Sequence, residues 1–218
     1  MKLRSLLVAA MVCMMAGYTY GDVAGNSGQS GNSAIPDNNT GGTTSVVTIT
    51  QNEIIQDAKF TIEGINHSWI GDLIIEVEHS TSGKTAMLMN RVGNSITQLT
   101  GDSSDVNGTY MFQDGNTSLW SAAAIPNDTE FVPVGTYDAS GFGEAVVSLN
   151  SIFAGETTEG DWTFTIADAN ATQAGTYVQT SVQFTSTAVP EPGTMATLVF
   201  GTFLGGVYFR RRHQKKTA

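Results

Sequence analysis

Cysteine is all but missing from this chain: one residue, Cys13, among 218. It lies in an N-terminal apolar run expected to be removed, so the mature protein has neither disulfide nor thiolate chemistry and its core holds by packing alone. Charge is scarce as well, at 14% of residues, and cations are scarcest in the body. Between residues 22 and 188 only Lys59, Lys84 and Arg91 stand against nineteen Asp and Glu, a net −16. Such a body repels polyphosphates and anionic membrane surfaces, which argues against nucleic acid as a partner. There are three histidines, His67, His79 and His213. No Cys/His cluster has zinc-ligand spacing, no Gly-x-Ser-x-Gly elbow appears, and no Gly-rich loop precedes a helix to cradle phosphate. A sustained 3.6-residue period and internal repeats are also missing, which excludes a helical architecture. The expectation is a non-catalytic protein.

What is present suits short strands and many turns: 24 glycines, with Thr, Ser and Asn throughout. The clearest stretch is Gly160–Asp168, in which Trp162, Phe164 and Ile166 alternate with Asp161, Thr163 and Thr165. That is the period-two pattern of a strand with one buried face. A second alternating run, Val178–Phe184, follows a loop with Asp168, Asn170 and Gly175. The run Asp72–His79 repeats the pattern, with Leu73, Ile75 and Val77 inward, and a turn at Ser80–Gly83 leads it into Lys84–Asn90. Further strands are expected at Ser45–Thr50 and Ile54–Ile65, and strand-like pieces at Thr109–Phe112 and Phe131–Val134. Val146–Phe153 fits a strand or a short helix. The fold class is all-β.

The ends carry an address. Residues 1–21 read as a signal peptide, with Lys2 and Arg4 before the apolar run Leu6–Ala16 and small residues near Tyr20. Residues 22–45, almost wholly Gly, Asn, Ser, Thr and Asp, read as a flexible linker too poor in apolar side chains to repay ordering. The folded body spans 46–187. Val189-Pro190-Glu191-Pro192 then breaks the last strand. An uncharged run over 194–209 is expected to be one transmembrane helix, short of the roughly 20 residues of a comfortable span. Arg210, Arg211 and Arg212 open a basic end, 210–216, that acts as a membrane stop and leaves the body outside the cytoplasm.

Two motifs give the body a resemblance. His67 is followed by Gly71-Asp72-Leu73-Ile74-Ile75 and a Ser80–Thr85 turn containing Gly83. Later, Gly160-Asp161-Trp162 runs to Asp168, then Gly175 and a strand to Phe184. Together these resemble the P/Homo B domain that accompanies the catalytic domain of kexin- and furin-like proprotein convertases, over about residues 46–187. Thr81 stands where that family usually has proline, and Lys84 is inserted after Gly83. The resemblance implies a jelly-roll β-sandwich of the galactose-binding-domain-like kind. It also implies an association with serine-type endopeptidases and proteolysis, although the chain carries no catalytic domain. The tail, residues 189–218, resembles the PEP-CTERM sorting signal of Gram-negative bacteria. That resemblance implies the export machinery and an exosortase as partners, membrane anchoring through the C-terminal helix, and a final place at the cell surface or outside the cell.

Candidate sites follow from residue type. Asp72 and Asp168 sit at matching strand ends in the two motifs. They are either ligands of a structural Ca²⁺, the one cofactor the sequence suggests, or caps that bind backbone N–H groups. His67 is expected in a structural hydrogen-bonding role. Trp69, Trp120 and Tyr137, outside the clearest strands, are candidates for stacking on sugar. The leading expectation is a surface or extracellular-matrix protein whose sandwich binds a macromolecule, extracellular polysaccharide or a surface protein. A carbohydrate-binding module and an accessory P domain serving a peptidase on another chain are the alternatives, the former by fold analogy.

Overall fold

The computed structural model describes residues 20–123 and 130–189. The chain divides into one unit ending at Thr187 and a second from Ala188 onward. The expected signal peptide, up to residue 19, and the expected membrane helix and basic end lie outside the described residues. Among the described residues no helix is long and apolar enough to cross a membrane.

Two sheets form a sandwich. The first runs in the order β1 (Tyr20–Asn26), β12 (Gln179–Ala188), β4 (Glu53–His67), β7 (Val106–Ser118), β8 (Gly135–Ser140), β9 (Val146–Val147), with β11 (Gly175–Tyr177) against β4 and β2 (Ser33–Ile35) against β11. The second runs β3 (Asn39–Ile49), β10 (Gly160–Asp168), β5 (Leu73–His79), β6 (Lys84–Asn90). Two one-turn helices, α1 (Leu119–Ala123) and α2 (Leu149–Phe153), lie in the connections. The span Val146–Phe153 is therefore strand and helix in succession. Asp114 accounts for the switch: its carboxylate accepts from the N–H groups of Leu149 and Asn150 at 2.8 and 3.1 Å and so caps α2.

Alternation places the core. Trp162, Phe164 and Ile166 of β10 are fully buried, and so are Ala58, Phe60 and Ile62 of β4 on the opposite sheet. Trp162 is the hub, its ring centroid 4.1 Å from His79, 4.6 Å from Phe184, 5.2 Å from Phe153 and 5.6 Å from Phe60. Its indole N–H donates to the Thr158 carbonyl at 3.1 Å. Each such side chain contributes about 1.5–3 kcal/mol of transfer free energy. The two alternating runs around the Asp168 loop are thus not partners in one sheet. They face each other across the core, and the loop carries the chain from one sheet to the other.

The linker expectation for 22–45 is corrected. These residues form β1, β2 and the first half of β3. Apolar content misled because this stretch is ordered by its backbone: β1 pairs with β12 from Tyr20↔Thr187 to Asn26↔Ser181, and β2 pairs with β11. Val23 and Ile35 supply the few buried anchors, and the Ser45 hydroxyl is buried against that of Thr180 at 2.7 Å. The sandwich accordingly includes Tyr20, well before residue 46. Phe131–Val134 is not a strand; it holds only an isolated bridge from Phe131 to Asp105. Asp72 closes a 3-10 turn, Ile70–Asp72, just ahead of β5.

Candidate binding site at the Trp69 end of the sandwich

The register of β10 on β5 opposes Asp168 to Leu73, which brings Asp72 and Asp168 to one end of the second sheet. The last residue of β4, His67, reaches the same end. Its Nε2 lies 3.0 Å from Asp168 Oδ2, both side chains fully buried. The backbone N–H of Trp69 donates to His67 Nδ1 at 3.1 Å. A nitrogen that accepts carries no proton, so Nε2 carries it and donates to the carboxylate. Both ring nitrogens are committed.

Asp168 also accepts from the Asn170 N–H at 3.1 Å, and the Asn170 amide turns back to donate to Asp72 Oδ1. Burial raises the pKa of Asp72, and the Asp168 charge adds to the rise; the Asn170 hydrogen bond opposes it, with smaller help from His67 and Arg91. Among the described residues no group of three His, Cys, Asp or Glu is placed to hold a metal. Asp168 is bonded as a turn cap is, through the Asn170 N–H, whereas Asp72 accepts only from the Asn170 side-chain amide.

A consequence follows for stability against pH. The folded Asp72 carboxyl holds its proton to higher pH than an unfolded one, so ionisation costs folded-state stability. Lowering the pH from neutral through its folded pKa toward the ordinary 3.8 therefore favours the folded form. In Asp72→Asn that component is expected to vanish, with equal or higher stability at neutral pH and no response to Ca²⁺ in either protein. Urea midpoints across this range, with Ca²⁺ and then EDTA, test it. A large destabilisation at neutral pH would contradict the assignment.

Trp69 stands beside this cluster, held at its edge by a 2.8 Å bond from Nε1 to the Thr100 carbonyl. Thr100 belongs to the 91–103 loop, which docks on the 3-10 turn through glycines. The Gly71 N–H donates to the Asp102 carbonyl at 2.9 Å, and a Cβ on Gly71 would lie 2.6 Å from Asp102 N and 2.7 Å from Gly101 Cα. Only glycine permits that approach. Two non-glycine residues flank the site in left-handed backbone, Arg91 at φ 48° and Thr172 at φ 93°. The latter is uncommon for a β-branched residue, and such strain clusters at functional sites. Between the loops lies a groove of about 410 Å³ lined by Trp69, Asp72, Leu99, Thr100, Asn170 and Gln173.

Of the three stacking candidates, Trp69 lines this groove. Tyr137 is buried, its hydroxyl bonded to the Pro133 carbonyl and its pKa raised by burial. Trp120 packs half-buried against the core from α1. Leu99, Asn170 and Gln173 were not among the sequence candidates. Asn170, two residues after Asp168, was the legible one, since an Asp with a backbone N–H two positions on is the signature of an Asx turn.

Comparison with known proteins adds an address and a weak likeness. Solved structures similar to this chain include a chain of the Aeromonas sobria serine protease and chaperone complex, at 16% identity and TM-score 0.43, and the same organism's serine protease, at 14% and 0.42. They cover 78% and 77% of this chain, which spans only 27% and 26% of theirs. No curated protein matches, and no P/Homo B family match accompanies the body. Residues 188–212 match the PEP-CTERM protein-sorting motif.

Proposed function

We propose that this chain is an exported, non-catalytic binding module, sorted to the surface of a Gram-negative cell by an exosortase-type system, and that the Trp69 groove takes a glycan. The observation that carries the reading is the half-buried indole of Trp69 fixed beside Asp72, Asn170 and Gln173. An aromatic face flanked by acceptors and amides suits the apolar face and hydroxyl edge of a sugar ring. Catalysis has no support at this end, because His67 has no free nitrogen to act as a base. Signal peptide, membrane helix and basic stop belong to the same proposal, through the sorting motif at 188–212.

The test is a glycan array probed with the full-length protein and with Trp69→Ala. The variant is expected to lose binding about tenfold or more, as buried aromatic anchors do, while its far-UV spectrum is unchanged. Binding to no glycan, or equal binding by both proteins, would refute the reading.

One observation favours a second reading. The two sequence motifs meet in space, His67 of the first bonding Asp168 of the second, with Gly175 packed on the His67 ring. A shared structural centre supports kinship with P/Homo B domains, and with it an accessory role beside a serine endopeptidase on another chain. A subtilisin-like peptidase that co-purifies with the full-length protein would favour it.

A further inference from the structure

The outer face of the first sheet carries a second candidate site, which shares no lining residue with the Trp69 groove. Here β1, β12, β4 and β7 turn their solvent-side residues to a trough of about 470 Å³. Its relief comes from residue size: Ala24, Gly25 and Ser181 are small, while Lys59, Gln183 and Glu63 stand higher around them. Thr61, Thr109, Asn26 and Val182 complete a lining in which no aromatic side chain takes part.

Lys59 gives this trough its chemistry. Among the described residues there are three cations, and two are committed. Lys84 Nζ pairs with Glu156 at 2.6 Å and donates to the Ile152 carbonyl at 2.9 Å. Arg91 donates to the carbonyls of Gly71 and Leu99. Lys59 alone among them makes no hydrogen bond or ion pair. Its nearest acidic neighbour along the strand, Asp57, is two residues away on the same face, roughly 7 Å at strand spacing, and that carboxylate is occupied by donors from Gln113 at 2.5 Å and Asn150 at 2.6 Å. The Glu63 carboxylate is occupied by donors from Gln179 at 2.7 Å and Ser181 at 3.2 Å. An unpaired ammonium thus stands among hydroxyls, amides and carboxylates already engaged by other donors, in a body that is otherwise strongly acidic.

We propose that this trough binds an extended glycan carrying an isolated carboxylate, the uronate of an otherwise neutral chain. Hydroxyl and amide side chains with no aromatic anchor and only Ala24 and Val182 as apolar lining match a hydroxyl-rich polymer better than a peptide, whose affinity comes from buried aromatic and aliphatic side chains. Lys59 supplies one charge-assisted contact to the carboxylate. The net −16 of the body disfavours a densely charged polyanion, so the acidic sugars must be sparse. This site stands independently of the Trp69 groove.

The experiment titrates the full-length protein with a short gluco-oligosaccharide carrying one glucuronate, and with the same oligosaccharide in which glucose replaces it. The acidic ligand is expected to bind about tenfold or more tighter. That preference should fall with added salt, disappear in Lys59→Gln, survive in Lys59→Arg and be untouched by Trp69→Ala. Equal binding of the two ligands, no binding of either, or an unchanged preference in Lys59→Gln overturns the proposal. Loss of both ligands on Trp69→Ala alone would assign the binding to the Trp69 groove and overturn it as well.

Discussion

His67→Ala is expected to lower the unfolding free energy by about 3–5 kcal/mol, the cost of removing one partner from a buried pair. The reason lies in what is left behind. Asp168 is fully buried, and without the imidazole N–H its carboxylate keeps only the Asn170 N–H as a donor. The charged form then loses its main compensation. Replacing both residues by alanine removes the stranded charge, and the double variant is expected to be less destabilised than the two single losses added together. Urea unfolding of the four proteins at neutral pH measures both effects. Additive losses would show that the pair is not coupled as described.

Trp162→Ala is the other large loss, about 3–5 kcal/mol by the usual cost of an aromatic-to-alanine truncation in a core. At 2–4 °C per kcal/mol for a domain of this size, that is a fall of roughly 6–20 °C in melting temperature. The ring touches both sheets and α2, so the cavity opens where Phe60, Phe153, Phe184 and His79 converge. Backbone hydrogen bonds hold those elements apart and prevent full collapse. Trp162→Phe keeps much of the volume but strands the Thr158 carbonyl, and a loss of about 1–3 kcal/mol is expected from that acceptor alone. A differential scan of the three proteins checks the order. If alanine and phenylalanine cost the same, packing is not what Trp162 contributes.

The β-class and the strands β4, β5 and β10 were legible because each carries its own evidence, an alternation of buried and less buried side chains over seven or more residues, which β6 breaks where Leu88 and Met89 are both buried. The β1–β2 segment was illegible for the opposite reason. Its order comes from pairing with β12 and β11, more than a hundred residues away, and local composition holds no record of that. The candidate site divides along the same line. Asp72 and Asp168 were found as strand-end carboxylates, and their meeting at one end followed from the expected pairing of β5 with β10. What they bind did not follow, because Asn170 and His67 reach them through tertiary structure. Tyr137 was misplaced as a surface aromatic since its burial depends on β8 running parallel beside β7, a pairing without a turn signature.

The pairing of Tyr20 with Thr187 sets a timetable for synthesis. The first strand to emerge can take its place only after the last one exists, so the ordering of β1 waits for nearly the whole sandwich to be made. Closing so long a span adds little entropy beyond a shorter one, since the cost grows only with the logarithm of length, but it puts the contact among those that form late. Until β12 arrives, β4 presents an open edge and β1 has no neighbour, a state exposed to proteolysis and to strand exchange between nascent chains. Resistance to protease in this domain therefore reports that translation has passed Thr187 and reached the threshold of the sorting motif.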